Sequence, residues 1–271
     1  MAAIITLLTD FGNADYFVGA MKGVILSLSA AVRIVDITHE IPAHDIQSGA
    51  FTLLAVYKDF PAGTIHVCVV DPGVGSSRRP VVVEAGGFTF VGPDNGIFSF
   101  VIEREPSARV FHITNEKFFR QPVSNTFHGR DIFAPVAAAL SNGVRPFEFG
   151  DEIKDFVRLD PISPERTPEG ELEASIIHID RFGNCVTSLT RESLQEETFA
   201  RGAKLRVGVH QITSFRKFFG EGSEGELFAI WGSAGFLEIA ALRDSAARIL
   251  SASRGQKVKV KMQKAEDKTQ K

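Results

Sequence analysis

Asp10 follows the apolar run Ile4–Leu8, and Asp71 ends the apolar run Ile65–Val70. In open α/β sheets ligands sit beyond the carboxyl ends of strands, so both carboxylates stand where chemistry is expected. Asp10, in Leu8-Thr-Asp-Phe-Gly12, can accept both hydroxyls of a ribose; a cap on the next turn, with Asp15 and Phe17 close behind, explains it as well. Asp71 opens Asp-Pro-Gly-Val-Gly-Ser-Ser-Arg-Arg79. Gly73 and Gly75 there let the backbone approach a ligand closely. No Gly-Lys-Ser/Thr follows, so this is not a phosphate loop. Arg78 and Arg79 are near enough in sequence to return to Asp71; the bland alternative is an Asp-Pro turn with a surface arginine pair.

His128 lies in Asn125-Thr-Phe-His-Gly-Arg-Asp131, just before an expected helix and beside a glycine that opens space. Taken alone it reads as a structural histidine, and Arg130 with Asp131 as a local pair or a helix start. Asp180 and Asn184, in Ile179-Asp-Arg-Phe-Gly-Asn184, form either a hairpin turn or a charge-plus-amide clamp for an amino-acid group. Gly92-Pro-Asp-Asn-Gly96 reads as a turn before a helix. The small residues of Trp231-Gly-Ser-Ala-Gly-Phe-Leu-Glu238, Ser233 among them, permit close backbone contact with a ligand.

The elements that must position these residues follow from the apolar pattern. Strands are expected at Ile4–Leu8, Val32–Ile37 and Ile65–Val70, and helices at Phe17–Ser29, Ser48–Phe60, Ile97–Glu105 and Asp131–Ser141. Val81–Ala85 and Phe88–Val91 flank Gly86-Gly87, a hairpin signal. This alternation predicts an α/β layer with a mostly parallel central sheet over residues 1–160. Pro161, Pro164 and Pro168 mark a linker over 161–170. Short, closely spaced strand-like runs then predict a small all-β barrel or sandwich over 171–262, and 263–271 reads as a solvated polar tail.

Composition narrows the function classes. The 271 residues are 44% apolar and 23% charged, with a net charge of −3, which suits a globular protein and argues against a broad nucleic-acid surface. Cys68 and Cys185 lie far apart in apolar contexts and read as core residues, not as a disulfide or zinc site. No apolar run reaches the roughly 20 residues that span a membrane, and the first strand begins almost at Met1, so no membrane partner is expected and the cytoplasm is the expected compartment.

Together the polar segments resemble the S-adenosylmethionine (SAM) hydrolase family, the SAM hydroxide adenosyltransferases, relatives of the fluorinases and chlorinases. The marks are TDFG at 9–12, DPGVGSSRR at 71–79, GPDNG at 92–96, TFHGRD at 126–131, IDRFGN at 179–184 and GSAGFLEIA at 232–240. Each is weak alone; their number and order make the resemblance specific. It implies an α/β N-terminal and a β-barrel C-terminal domain. It also implies a homotrimer, with each site between the N-terminal domain of one subunit and the C-terminal domain of its neighbour.

By this resemblance Asp71, Arg78 and His128 match a catalytic, water-handling trio. Asp10 matches the carboxylate that grips the ribose, and Asp180, Asn184 and Ser233 match positions that hold the methionine end. Phe218 falls near the position that packs on adenine. His44 stands where the halogenases carry Trp and is left out of the site. The resemblance implies hydrolysis of SAM to adenosine and methionine, with SAM as substrate, no cofactor and no metal. Two alternatives are halogenation at the same carbon and a binding module that senses adenosine or SAM without turnover. The sulfonium leaves as a neutral thioether and needs no proton, so the work lies in orienting water and removing its proton. A halide instead wants hydroxyl and amide donors. Where fluorinases place Tyr, Thr and Ser, this chain has Asp71, Val74 and Gly129, and its Val81–Val91 hairpin lacks their long insertion.

Overall fold

The computed structural model describes residues 2–168, 171–200 and 202–261. The end of the expected linker, 169–170, and the expected tail, 263–271, lie outside the described residues. The chain divides between Asp160 and Pro161 into two compact units.

The first unit is built on β1 (Ile4–Thr9), β2 (Arg33–Thr38), β3 (Ile65–Val69), β4 (Pro80–Ala85), β5 (Phe88–Pro93), β6 (Arg109–His112) and β7 (Glu152–Ile153). These form one sheet in the order β2-β1-β3-β5-β4-β6-β7. β2, β1, β3 and β5 run parallel, whereas β4, β6 and β7 pair antiparallel. The expected mostly parallel sheet is therefore mixed, and the reason is local. Gly86 and Gly87 take φ of 58° and 83°, the two-residue turn of a tight hairpin. A turn that short joins only antiparallel strands, so β4 reverses the direction.

Four helices cover the sheet: α1 (Phe17–Leu28), α2 (Ile46–Val56), α3 (Ser99–Arg104) and α4 (Ala134–Ser141). The Asp45 side chain caps α2 by accepting from the Ser48 backbone N–H at 3.0 Å. α4 starts later than expected, because Gly129–Phe133 winds as a single π-helical turn ahead of it. Such insertions recur at functional sites. On one face of the sheet Ile5, Leu7, Val67 and Val69 pack with Met21 and Ile25 of α1 and Val136 of α4. On the other face α2 lies so close that a Cβ on Gly49 would sit 3.2 Å from Val70, and Tyr57, His66 and Phe90 form an aromatic layer. Burial on both faces explains why β1 and β3 are continuous apolar runs instead of alternating ones. Each fully buried Leu, Ile or Phe here contributes about 2 kcal/mol.

The second unit contains β8 (Glu165–Arg166), β9 (Leu172–Ile179), β10 (Cys185–Thr190), α5 (Glu197–Ala200), β11 (Lys204–Val207), β12 (His210–Ile212), β13 (Ser214–Phe215), β14 (Leu227–Trp231), β15 (Phe236–Ala241), α6 (Ala246–Leu250) and β16 (Lys257–Lys261). β8 forms within the stretch expected to be a linker and pairs with β9. The sheet runs β12-β11-β16-β9-β10-β15-β14-β13 and curls into a nearly closed, barrel-like form, with β12 approaching β14. Its interior holds Ile176, Leu189, Leu205, Leu237, Ile239 and Val260. Cys68 and Cys185 are buried free thiols, one in each unit, and burial raises the pKa of both. Among the described residues no helix is long and apolar enough to cross a membrane.

Candidate active site

Connection order determines where a ligand meets the first unit. β1 leads through α1 to β2 on one side, and β2 returns through α2 to β3 on the other. The crevice beyond the carboxyl ends of β1 and β3 is thus a topological switch point, the usual ligand position in such sheets. Asp10 stands directly after β1, and Asp71 two residues after β3. Asp10 Oδ2 accepts the backbone N–H of His44 at 2.9 Å. His44 pays for that contact with a left-handed backbone, φ 66°.

Asp71, Arg78 and His128 come together. Arg78 Nε donates to Asp71 Oδ1 at 3.0 Å, and Arg78 Nη2 donates to Asp71 Oδ2, a bidentate pair. The same Nη2 lies 3.1 Å from His128 Nδ1. Both partners of the ion pair are nearly sequestered, with side-chain exposures of 7% for Arg78 and 5% for Asp71. The guanidinium also packs over Phe133, 5.4 Å from the ring centroid. Burial raises the Asp71 carboxyl above its ordinary value, against the opposing pull of Arg78 and His128. His128 is pushed below the usual imidazole value, first by burial and then by the charge of Arg78, so it is neutral at neutral pH. Arg79 turns away from Asp71. It pairs with Asp94 at 2.7 Å and Asp155 at 2.9 Å instead.

Two devices hold this geometry. Gly75 has φ 77°, and a Cβ there would fall 2.2 Å from the Asn125 carbonyl oxygen, so only glycine lets the 71–79 loop lie against the segment carrying His128. Asp131 is fully buried and accepts from Arg130 Nε at 2.7 Å, the Ser124 backbone N–H at 2.9 Å and Arg120 Nη1 at 3.1 Å. Burial works against the charge, but those bonds hold its carboxyl below the ordinary value. The local Arg130–Asp131 pair that the sequence allowed is thus a clamp on the loop leading into His128. Asp71 and His128 open on a cavity of about 140 Å³ walled by Phe11, Phe17 and Phe127. Val74 and Gly129 line it too, and neither carries a hydroxyl; Thr126 supplies one, shared with Ser124.

In the second unit Asp180 and Asn184 meet in the turn between β9 and β10. Asp180 Oδ1 accepts the backbone N–H groups of Phe182 and Asn184, and Oδ2 accepts Asn184 Nδ2 at 2.8 Å. These bonds build the hairpin turn, in which the two side chains bond each other. Gly183 fits this turn against α6, since a Cβ there would meet Ser245 Oγ at 2.0 Å. Asn184 lines a cavity of about 470 Å³, together with Phe182, Phe219 and the 241–244 segment. Phe218 and Ser233 are both exposed and do not line that cavity.

Phe182 and Glu238 lie inside the quoted segments at 179–184 and 232–240 but are not singled out by motif reasoning. Phe182 is 77% exposed and lines that cavity. Its signal is the Phe inside the hairpin turn. Glu238 is the only charged residue of β15, and its carboxylate lies where a Cβ on Gly232 would be, 1.8 Å from Oε1. Burial first, and then the charge of Asp180, pushes it up to about 7. Among the described residues no group of three or more His, Cys, Asp or Glu is arranged to hold a metal ion.

Comparison with known proteins gives one answer over both units. The family model described as SAM hydroxide adenosyltransferase N-terminal domain matches residues 5–150, and that for the C-terminal domain matches residues 174–259. The (R)-S-adenosyl-L-methionine hydrolase of Methanocaldococcus jannaschii is 36% identical, covering 92% of this chain and 92% of its own length. That of Thermus thermophilus is also 36% identical, covering 93% of this chain and 97% of its own. A fluorinase of Actinopolyspora mzabensis is more distant, at 24% identity over 95% of this chain and 96% of its own. Among solved structures, an uncharacterized conserved protein from Thermotoga maritima superposes with a TM-score of 0.88 at 34% identity, covering 94% of this chain and 99% of that one.

Proposed function

The chain belongs to the SAM hydroxide adenosyltransferase family, and from that membership we propose that it hydrolyses S-adenosyl-L-methionine to adenosine and L-methionine by attack of water at C5′ of the ribose. The observation that carries this is the buried Asp71–Arg78–His128 cluster opening on a small cavity at the switch point. Water bound there meets the Asp71 carboxylate, able to take a proton, and the His128 ring, while Arg78 behind them holds both in place. Arg78 itself is no base, because it keeps its proton at any ordinary pH. Asp10 grips the ribose hydroxyls. Asp180, Asn184 and Ser233 hold the methionine end, with one charge for its ammonium group. Adenine goes to the aromatic-flanked cavity of Phe182 and Phe219, with Phe218 nearby. SAM is the substrate, and its departing thioether calls for no cofactor or metal. A homotrimer completes each site, the N-terminal α/β unit of one subunit working with the C-terminal barrel of its neighbour, in the cytoplasm.

The hydrolase is favoured over the halogenase by what lines the cavity. A halide there would lie against the Asp71 carboxylate, with Val74 and Gly129 offering no hydroxyl to replace its hydration shell and the hydroxyl of Thr126 already bonded to that of Ser124. The relatives point the same way: the hydrolases are 36% identical and the fluorinase 24%. The test is chromatography of purified protein incubated with SAM, with and without halide. Adenosine and methionine in equal amounts, independent of halide, are expected. A halide-dependent nucleoside would replace this reading with halogenation, and tight binding without turnover would replace it with sensing.

A further inference from the structure

Arg78 fixes the tautomer of His128. A guanidinium has N–H donors and no acceptor, so the 3.1 Å contact between Nη2 and Nδ1 runs one way: arginine donates and Nδ1 accepts. Nδ1 therefore carries no proton, and the neutral ring keeps its one hydrogen on Nε2. His128 borders the cavity that Asp71 also lines. It can offer that cavity only an N–H. To act as a base it would have to take a proton at Nδ1, directly against the guanidinium. Asp71 is the opposite case. Its two oxygens provide about four lone-pair directions; Arg78 takes two, and the Gly73 backbone N–H supplies a further bond. Acceptor capacity remains.

We infer that Asp71 accepts the proton of the attacking water while His128 is a fixed Nε2–H donor that orients the water oxygen. This rests on the hydrolase reading. One water lone pair forms the O–C5′ bond as the C5′–S bond breaks, its electron pair going to sulfur to give neutral methionine thioether. A second lone pair accepts from His128 Nε2–H. The excess proton passes to the Asp71 carboxylate and then to solvent, so the balance is SAM plus water to adenosine, methionine and a proton. The local charges agree. Burial keeps Asp71 above the ordinary carboxylate value, nearer to a useful base. Burial and Arg78 keep His128 from taking a second proton, outweighing Asp71 and Asp131, which pull the other way.

Nitrogen NMR of histidine-labelled protein reads the tautomer directly, with the His128 signal found among the seven histidines by its loss in His128→Gln. An unprotonated Nδ1 and a protonated Nε2 are expected; a protonated Nδ1 overturns the assignment. Kinetics read the base. His128→Gln keeps an acceptor for Arg78 and an N–H for water, so kcat should fall about tenfold and the acid limb of the pH profile should stay. Asp71→Asn should lower kcat by about 10²–10⁴ and remove that limb, with adenosine affinity within about threefold of the native value. The reverse pattern, the limb lost in His128→Gln and kept in Asp71→Asn, overturns the proposal. Should Asp71→Asn not fold, the His128→Gln profile decides alone. If the native protein leaves SAM intact, the hydrolase reading fails and the Asp71 role falls with it, while the tautomer measurement still stands.

Discussion

Glu238 sits in an apolar strand with its carboxylate against Gly232 and the charge of Asp180 nearby. Its ordinary value is 4.5 and the folded protein raises it to about 7, burial being the larger cause. The native state then binds more protons than the unfolded chain between those values, so stability falls as pH rises through that window. The penalty is absent below pH 4.5 and complete above about 7. Glu238→Gln should therefore raise the melting temperature relative to the native chain at pH 8 and leave it level at pH 4, with the crossover in between. Thermal unfolding followed by circular dichroism across that range checks it. A difference that does not change with pH would contradict the assigned pKa. At the Asp71–Arg78–His128 cluster the same logic has the opposite partner: Arg78 supports the charge of Asp71 where Asp180 opposes that of Glu238, yet burial wins at both carboxylates.

The elements act by bringing loops together. The loop after β3 rests on the segment before the π-helical turn through Gly75, whose absent side chain leaves room for the Asn125 carbonyl. Gly75→Ala combines a strained φ with a backbone clash and should cost about 2 kcal/mol or more, while also lowering kcat by separating Arg78 from His128. Gly73→Ala is the control. Its Cβ would meet nothing nearer than 3.5 Å and its φ is not left-handed, so its stability should change by about 0.5 kcal/mol at most. Denaturant unfolding of both variants checks this; equal losses would mean that Gly75 does not seat the loop. Much of this frame is legible in the sequence. Buried strands show as unbroken apolar runs, the Gly86-Gly87 hairpin shows as a turn, and Asp10 and Asp71 show as carboxylates at strand ends. The antiparallel half is not, because β6 and β7 are short and their pairing depends on where β4 lands after its turn. Nor is the choice of Arg78 over Arg79. Adjacent arginines have equal reach, and only the positions of Asp94 and Asp155 draw Arg79 away. Glu238 escapes motif reasoning because a single acid inside an apolar strand carries no spacing signal.

The molecule has two compact units, one carrying the Asp71–Arg78–His128 cluster and the other an aromatic cavity beside Asn184. If each active site draws one set from one subunit and the other set from its neighbour, two inactive variants should rescue each other. Asp71→Asn and Asp180→Ala, each alone nearly inactive, should regain activity when unfolded together and refolded as mixed trimers, because some sites then inherit both native sets. Sedimentation should give the trimer mass. No rescue from mixtures that do contain mixed trimers would place each site within a single chain. The central claim is that water attacks C5′ of the ribose, and its most direct test is turnover of SAM in water enriched in heavy oxygen, with mass spectrometry of both products. The label is predicted in the 5′ hydroxyl of adenosine and absent from methionine. Label in the amino-acid product, or a nucleoside without it, would contradict the account.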